Sequence, residues 1–103
     1  MEKEKYLEVV MSLITYSGNA KSCGMEGIQA AKQGDFESAD KKVEEANEEL
    51  GRAHNSQTSL LTKEASGEKI EVSLLMIHAQ DHLMNAINFC DLAIEFIELY
   101  KSK

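Results

Sequence analysis

Residues 70–101, IEVSLLMIHAQDHLMNAINFCDLAIEFIELYK, decide how this chain must fold. Projected as a helix at roughly 100° per residue, they leave only a thin polar strip of Ser73, Gln80, Asp91, Glu95 and Glu98, so nearly all of the surface asks for burial. One side, through Val72, Leu83, Ala86, Cys90 and Ile97, suits coverage by other helices of the same chain. Another side carries Leu74, His78, Asp81, Asn85, Asn88, Leu92, Phe96 and Leu99, recurring at spacings of about 3.5, the signature of a coiled-coil seam. A homo-oligomer packed on this helix is the simplest expectation, with apolar layers at the ends and a polar middle.

Two breaks separate this helix from two others. Gly34 in Gln33-Gly34-Asp35 can close a helix while Asp35 caps the next, and Ser66-Gly67-Glu68-Lys69 forms a polar hinge. The first helix is expected over about residues 4–32, with Tyr6, Val9, Val10, Leu13, Ile14, Tyr16 and Ile28 as its apolar set; Gly18 and Gly24 weaken it and offer close backbone approach. The second, over about 36–65, carries a narrow stripe of Phe36, Ala39, Val43, Ala46, Leu50, Ala53, Gln57 and Leu60/Leu61 beside a solvated face of charges. The reading is an all-α, antiparallel three-helix bundle, up-down-up, forming one domain over residues 1–103.

Composition points the same way. The chain has 103 residues, no proline and no tryptophan, which favours long helices over sheet. A domain of this size hides only part of its surface alone, so a partner surface would help. The net charge of −7, without Lys/Arg clusters, argues against nucleic acid and anionic lipid. Met1-Glu2-Lys3-Glu4-Lys5 is too charged for a signal peptide, and no apolar run approaches the roughly 18 residues of a membrane span. A soluble cytoplasmic protein is expected. Cys23 and Cys90 stand apart without ligand-like spacing and read as small hydrophobes.

The polar groups within the apolar helix are the chemical candidates. On a helix His78 and His82 are i, i+4 and His78 and Asp81 are i, i+3, so all three project from one side. Asn85 and Asn88 are accounted for as seam residues that specify register. Asp81 is different: repeated around a symmetry axis its carboxylates repel, unless protonated or joined by a hard divalent cation. The His78/His82 spacing matches half of a zinc protease motif, but Ala79 stands where the general base would be and no third ligand follows. No Glu-x-x-His pair exists for a di-iron bundle. His54 reads as an ordinary polar-face residue. The residues alone leave open a helical adaptor whose histidines set register and a metal-dependent hydrolase using His78, Asp81 and His82.

The segment Val72-Ser73-Leu74-Leu75-Met76-Ile77-His78-Ala79-Gln80-Asp81-His82-Leu83-Met84 closely resembles the active segment of the enzyme IIA subunits of the lactose/chitobiose class of the bacterial phosphoenolpyruvate-dependent sugar phosphotransferase system. The resemblance continues through Val9-Val10-Met11-Ser12-Leu13-Ile14, Ser17-Gly18-Asn19-Ala20 and Ala31-Lys32-Gln33-Gly34-Asp35-Phe36. It implies a homotrimer of three-helix subunits with the third helix around the axis. It implies that His78 accepts a phosphoryl group, at Nε2, from the phosphohistidine of HPr and passes it to a cysteine of enzyme IIB, which serves the membrane enzyme IIC. It further implies that Asp81 of three subunits shares a divalent cation, commonly Mg²⁺, and that Gln80 and His82 occupy supporting motif positions.

Overall fold

The computed structural model describes residues 1–103. Three helices account for the fold: α1 (Lys3–Lys32), α2 (Phe36–Ala65) and α3 (Leu74–Lys101). They run up, down and up in a rod of 52 × 20 × 20 Å. No helix is long and apolar enough to cross a membrane.

Both breaks are built by the same local chemistry. At the end of α1, Gly34 adopts φ 82°, a left-handed conformation that glycine enters without a Cβ penalty. The Asp35 N–H then donates to the Ala30 carbonyl at 2.9 Å and the Gly34 N–H to that of Ala31 at 3.0 Å. This Schellman arrangement satisfies the last carbonyls of α1. Asp35 at once serves the next helix, its Oδ1 accepting from the Ser38 N–H at 3.2 Å. Gly67, at φ 100°, repeats the pattern after α2, with Glu68 donating to Lys63 and Gly67 to Glu64.

The third helix begins later than periodicity suggests. Ser73 ends the extended linker and caps α3, its Oγ accepting from the Met76 N–H at 3.1 Å. Ser73 is therefore a cap and not part of a helical polar strip. Val72 lies outside the helix and is 74% exposed, so it is not covered by the partner helices as expected. Ile70 and Val72 prolong an apolar pattern, but the capping hydrogen bond outweighs that continuation.

Small residues set the packing. Ala39, Ala46 and Ala53 recur every seventh residue on α2, and Ala79, Ala86 and Ala93 do so on α3, all buried. A seven-residue repeat keeps one stripe of a helix facing its neighbours, and the missing bulk lets backbones approach. On α1 the approach is made by Gly24 and Gly27. A Cβ at Gly24 would stand 3.1 Å from Phe89 Cε2, and one at Gly27 would stand 3.2 Å from Ile97 Cδ1. Gly18, expected to serve this purpose, faces open space. Helix α1 packs along both other helices, whereas α2 and α3 meet sparsely.

The burial of α3 divides it as its sequence implied. Leu83, Ala86, Cys90 and Ile97 are in the core, while Leu74, Leu92, Phe96 and Leu99 are 83%, 58%, 49% and 54% exposed. His78, Asp81, Asn85 and Asn88 lie exposed on the same open face. The single chain thus leaves uncovered the stripe that has coiled-coil spacing.

Candidate functional site

His78 stands one turn into α3, on a segment anchored from behind. Ala79 and Leu83, its neighbours along the helix, are fully buried in the largest core cluster with Tyr6, Val10, Leu13 and Met76. The imidazole itself is exposed, and no hydrogen bond or ion pair within the chain engages it. Its ring meets that of His82 edge to face, with centroids 4.5 Å apart and planes at 84°. His82 is half-buried.

Asp81 lies on the opposite flank of His78 from His82, because three residues turn the helix by about −60° and four by about +40°. Asp81 is exposed on the open seam, and no hydrogen bond or ion pair within the chain engages its carboxylate. No group of three His, Cys, Asp or Glu side chains within the chain is arranged to hold a metal ion. One carboxylate per chain fits a cation only if several copies converge. The hydrolase alternative, which needs His78, Asp81 and His82 on one ion, has no such convergence to build on.

Gln80 is placed elsewhere. Its Oε1 accepts from Gln57 Nε2 at 2.7 Å and its own amide nitrogen points to Met76 Sδ at 3.7 Å, so it ties α3 to α2. The structure brings His78 and His82 together and holds Gln80 apart from them. His54 is exposed on α2. Cys90 is buried with its thiol against the Ala20 carbonyl at 3.4 Å, and burial raises its pKa. Burial, followed by the nearby Glu45 charge, also raises that of Cys23, so both remain thiols at neutral pH.

The surroundings of His78 include α1. The two helices run parallel at an offset of about 65 to 70 residues, as Tyr6 with Ser73, Gly24 with Phe89 and Ala20 with Cys90 show. That register puts Met11, 49% exposed, at the height of His78. Leu7 is exposed one turn below it. Sequence reasoning missed this flank, and it missed Tyr6 as a polar partner. Gln57 was visible as the one amide in the apolar stripe of α2, but its partner was not.

Comparisons with known proteins identify the family and the fold. Residues 8–101 match the family described as the lactose/cellobiose-specific IIA subunit of the PTS system. The lichenan-specific phosphotransferase enzyme IIA component of Bacillus subtilis is 52% identical over 98 residues, covering 95% of this chain and 89% of the relative. The crystal structure of the cellobiose-specific enzyme IIA of Bacillus anthracis superposes with a TM-score of 0.93 at 50% identity, over 99% of this chain and 92% of that one. A IIA(chitobiose) subunit, solved in complex with HPr from the N,N′-diacetylchitobiose branch of the Escherichia coli phosphotransferase system, superposes with a TM-score of 0.78 at 38% identity, over 99% and 97% of the two chains.

Proposed function

Because the chain belongs to the lactose/cellobiose-specific IIA family of the phosphotransferase system, we propose that it is a cytoplasmic phosphocarrier acting through His78. The Nε2 lone pair attacks the phosphorus carried by the phosphohistidine of HPr. A P–N bond forms at His78 as the donor P–N bond breaks, and its electron pair returns to the donor imidazole. In the second transfer a cysteine thiolate of enzyme IIB attacks the same phosphorus and the electrons return to Nε2. The membrane enzyme IIC is reached only through that partner.

The observation that carries this reading is an exposed imidazole, with no hydrogen-bond or ion-pair partner within the chain, on a helix whose opposite face is locked in the core. Phosphoryl transfer through a loose transition state asks for in-line placement and charge compensation more than for covalent assistance. A rigid helix supplies the placement. His82, edge-on to His78, limits the rotamers of the nucleophile and gives the phosphoryl oxygens a nearby N–H donor. Gln80 acts at a distance, by holding α3 to α2 through Gln57.

The exposed apolar stripe of α3 supports a homotrimer around that helix, which brings three Asp81 carboxylates to the axis. Carboxylate oxygens are the donors a hard cation such as Mg²⁺ takes. When bound, the ion would offset the mutual repulsion of these carboxylates and the charge added at phosphorylated His78.

Incubation with phosphorylated HPr tests the assignment. The parent chain and His54→Ala gain the mass of one phosphoryl group, released again by acid, while His78→Ala gains nothing and keeps its helicity, since alanine is a good helix former. Full modification of His78→Ala under conditions that modify the parent would overturn it.

A further inference from the structure

The linker between α2 and α3 is fastened from the N-terminal end of the chain at two places, Glu68 by an ion pair with the Met1 ammonium and Glu71 and Ser73 by the Tyr6 hydroxyl. Gly67 and Glu68 close the Schellman turn, but no backbone-to-backbone hydrogen bond has its donor between Lys69 and Met76. Ile70 packs, partly buried, against the main core cluster, while Glu71 and Val72 are exposed. Ile70, Glu71 and Val72 line a surface cavity of about 540 Å³ together with Met1, Lys3, Tyr6 and Lys69. The Tyr6 side chain reaches across to the later half of the linker. Its hydroxyl donates to the Glu71 carbonyl at 2.9 Å and lies 2.9 Å from Ser73 Oγ. A phenol has one hydrogen, already given to Glu71, so the Ser73 hydroxyl donates to Tyr6 while its lone pair accepts the Met76 N–H. The ring of Tyr6 is buried in the cluster that also holds Met76 and Ala79.

We propose that Tyr6 is a positioning residue for His78: its hydroxyl latches the linker to α1 and, through Ser73, fixes where α3 begins. The inference rests on the phosphocarrier reading for its consequence, though not for its geometry. In an α-helix each N–H bonds to the carbonyl four residues back, so the first such bond formed wholly inside α3 joins the N–H of His78 to Leu74. Leu74 is 83% exposed and has no packing to hold it. Loosening the cap releases first the N–H groups of Met76 and Ile77, both bonded to Ser73, and next the His78–Leu74 bond, with only a sparse α2–α3 contact to take over. The hydroxyl lies outside the reacting atoms and acts only through the cap and first turn. Its connection to Ser73 spans 67 residues of sequence.

Tyr6→Phe removes the hydroxyl and leaves the ring. Loss of a net hydrogen bond corresponds to an increase of about 2- to 10-fold in opening of the first turn, read as faster amide exchange at Leu75 to His78, with exchange across α1 and α2 unchanged. Under single-turnover conditions the transfer rate from saturating phosphorylated HPr falls by a similar factor while the half-saturating donor concentration stays put. A Ser73→Asp substitution in the Tyr6→Phe background, giving an anionic cap that needs no tyrosine, restores both readouts. Parental exchange and parental rate in Tyr6→Phe overturn the latch, as does faster exchange spread evenly over all three helices. The exchange measurement needs no phosphoryl donor. A parent chain that refuses phosphoryl groups from HPr therefore refutes the phosphocarrier reading separately.

Discussion

Replacing Leu92 with lysine separates what the subunit needs from what its assembly needs. Leu92 is 58% exposed in the single chain. A lysine there keeps its ammonium in water, and the helix propensities of the two residues are close, so α3 should form as before. An assembly on the open face of α3 covers the exposed part. Full burial of a leucine side chain contributes about 1.5–3 kcal/mol. The 58% still exposed leaves roughly 1–2 kcal/mol per copy for the interface, hence about 3–5 kcal/mol for three copies. Three ammonium groups brought together without partners add to that cost. Association should weaken at least about 10²- to 10⁴-fold, which is enough to abolish the trimer at micromolar concentration. Sedimentation equilibrium reads the result, with far-UV circular dichroism as the control for folding. The parent should run as a trimer and Leu92→Lys as a helical monomer near 11.5 kDa. Glu98→Lys, at an exposed site off the seam, should stay trimeric. A monomeric parent, or a Leu92→Lys protein that remains trimeric, would refute the reasoning.

Asp81→Leu should keep the oligomer and remove its dependence on divalent metal, because an apolar layer replaces carboxylate repulsion; a parent whose melting is indifferent to both EDTA and Mg²⁺ would count against a cation at the axis. Gly51 lies exposed inside α2 with nothing within 4 Å of an added Cβ, so Gly51→Ala should stabilise by about 0.5–1 kcal/mol in denaturant titration. Gly27→Ala should fall short of that gain, since its Cβ would meet Ile97 at 3.2 Å and the Ala39 carbonyl at 3.4 Å. The Asp35 carboxyl titrates below its ordinary range because Ser38 hydrogen-bonds its ionised form. Its folded pKa being depressed, the capping contribution is present above the unfolded pKa and lost as pH falls through the folded one. Asp35→Ala should therefore melt below the parent at neutral pH, with the gap closing as the medium is acidified past the carboxylate range.

The parts of this fold that were legible in the chain are those governed by local spacing. The breaks at Gly34 and Gly67, the Asp35 cap and the alanine stripe of α2 follow from φ, capping and periodicity, each a matter of a few adjacent residues. His78, His82 and Asp81 were likewise assignable to one side of a helix. Periodicity places the start of α3 too early, because Ile70 and Val72 continue an apolar pattern that says nothing of the Ser73 cap. Gly18 and Gly24 looked alike in sequence, yet only Gly24 meets another helix.

By itself the sequence determined three helices, the faces they bury and the constellation around His78, since neighbours at i+3 and i+4 are set by the 3.6-residue turn alone. Only the tertiary structure decided that Gln80 turns to Gln57, that Met11 lies level with His78 along the bundle and that Tyr6 holds the linker before α3. These depend on how far one helix slides along another. That register is fixed by the fit of small residues such as Gly24, Gly27 and the alanine repeats against the side chains facing them, a match between distant segments that no spacing within one helix specifies.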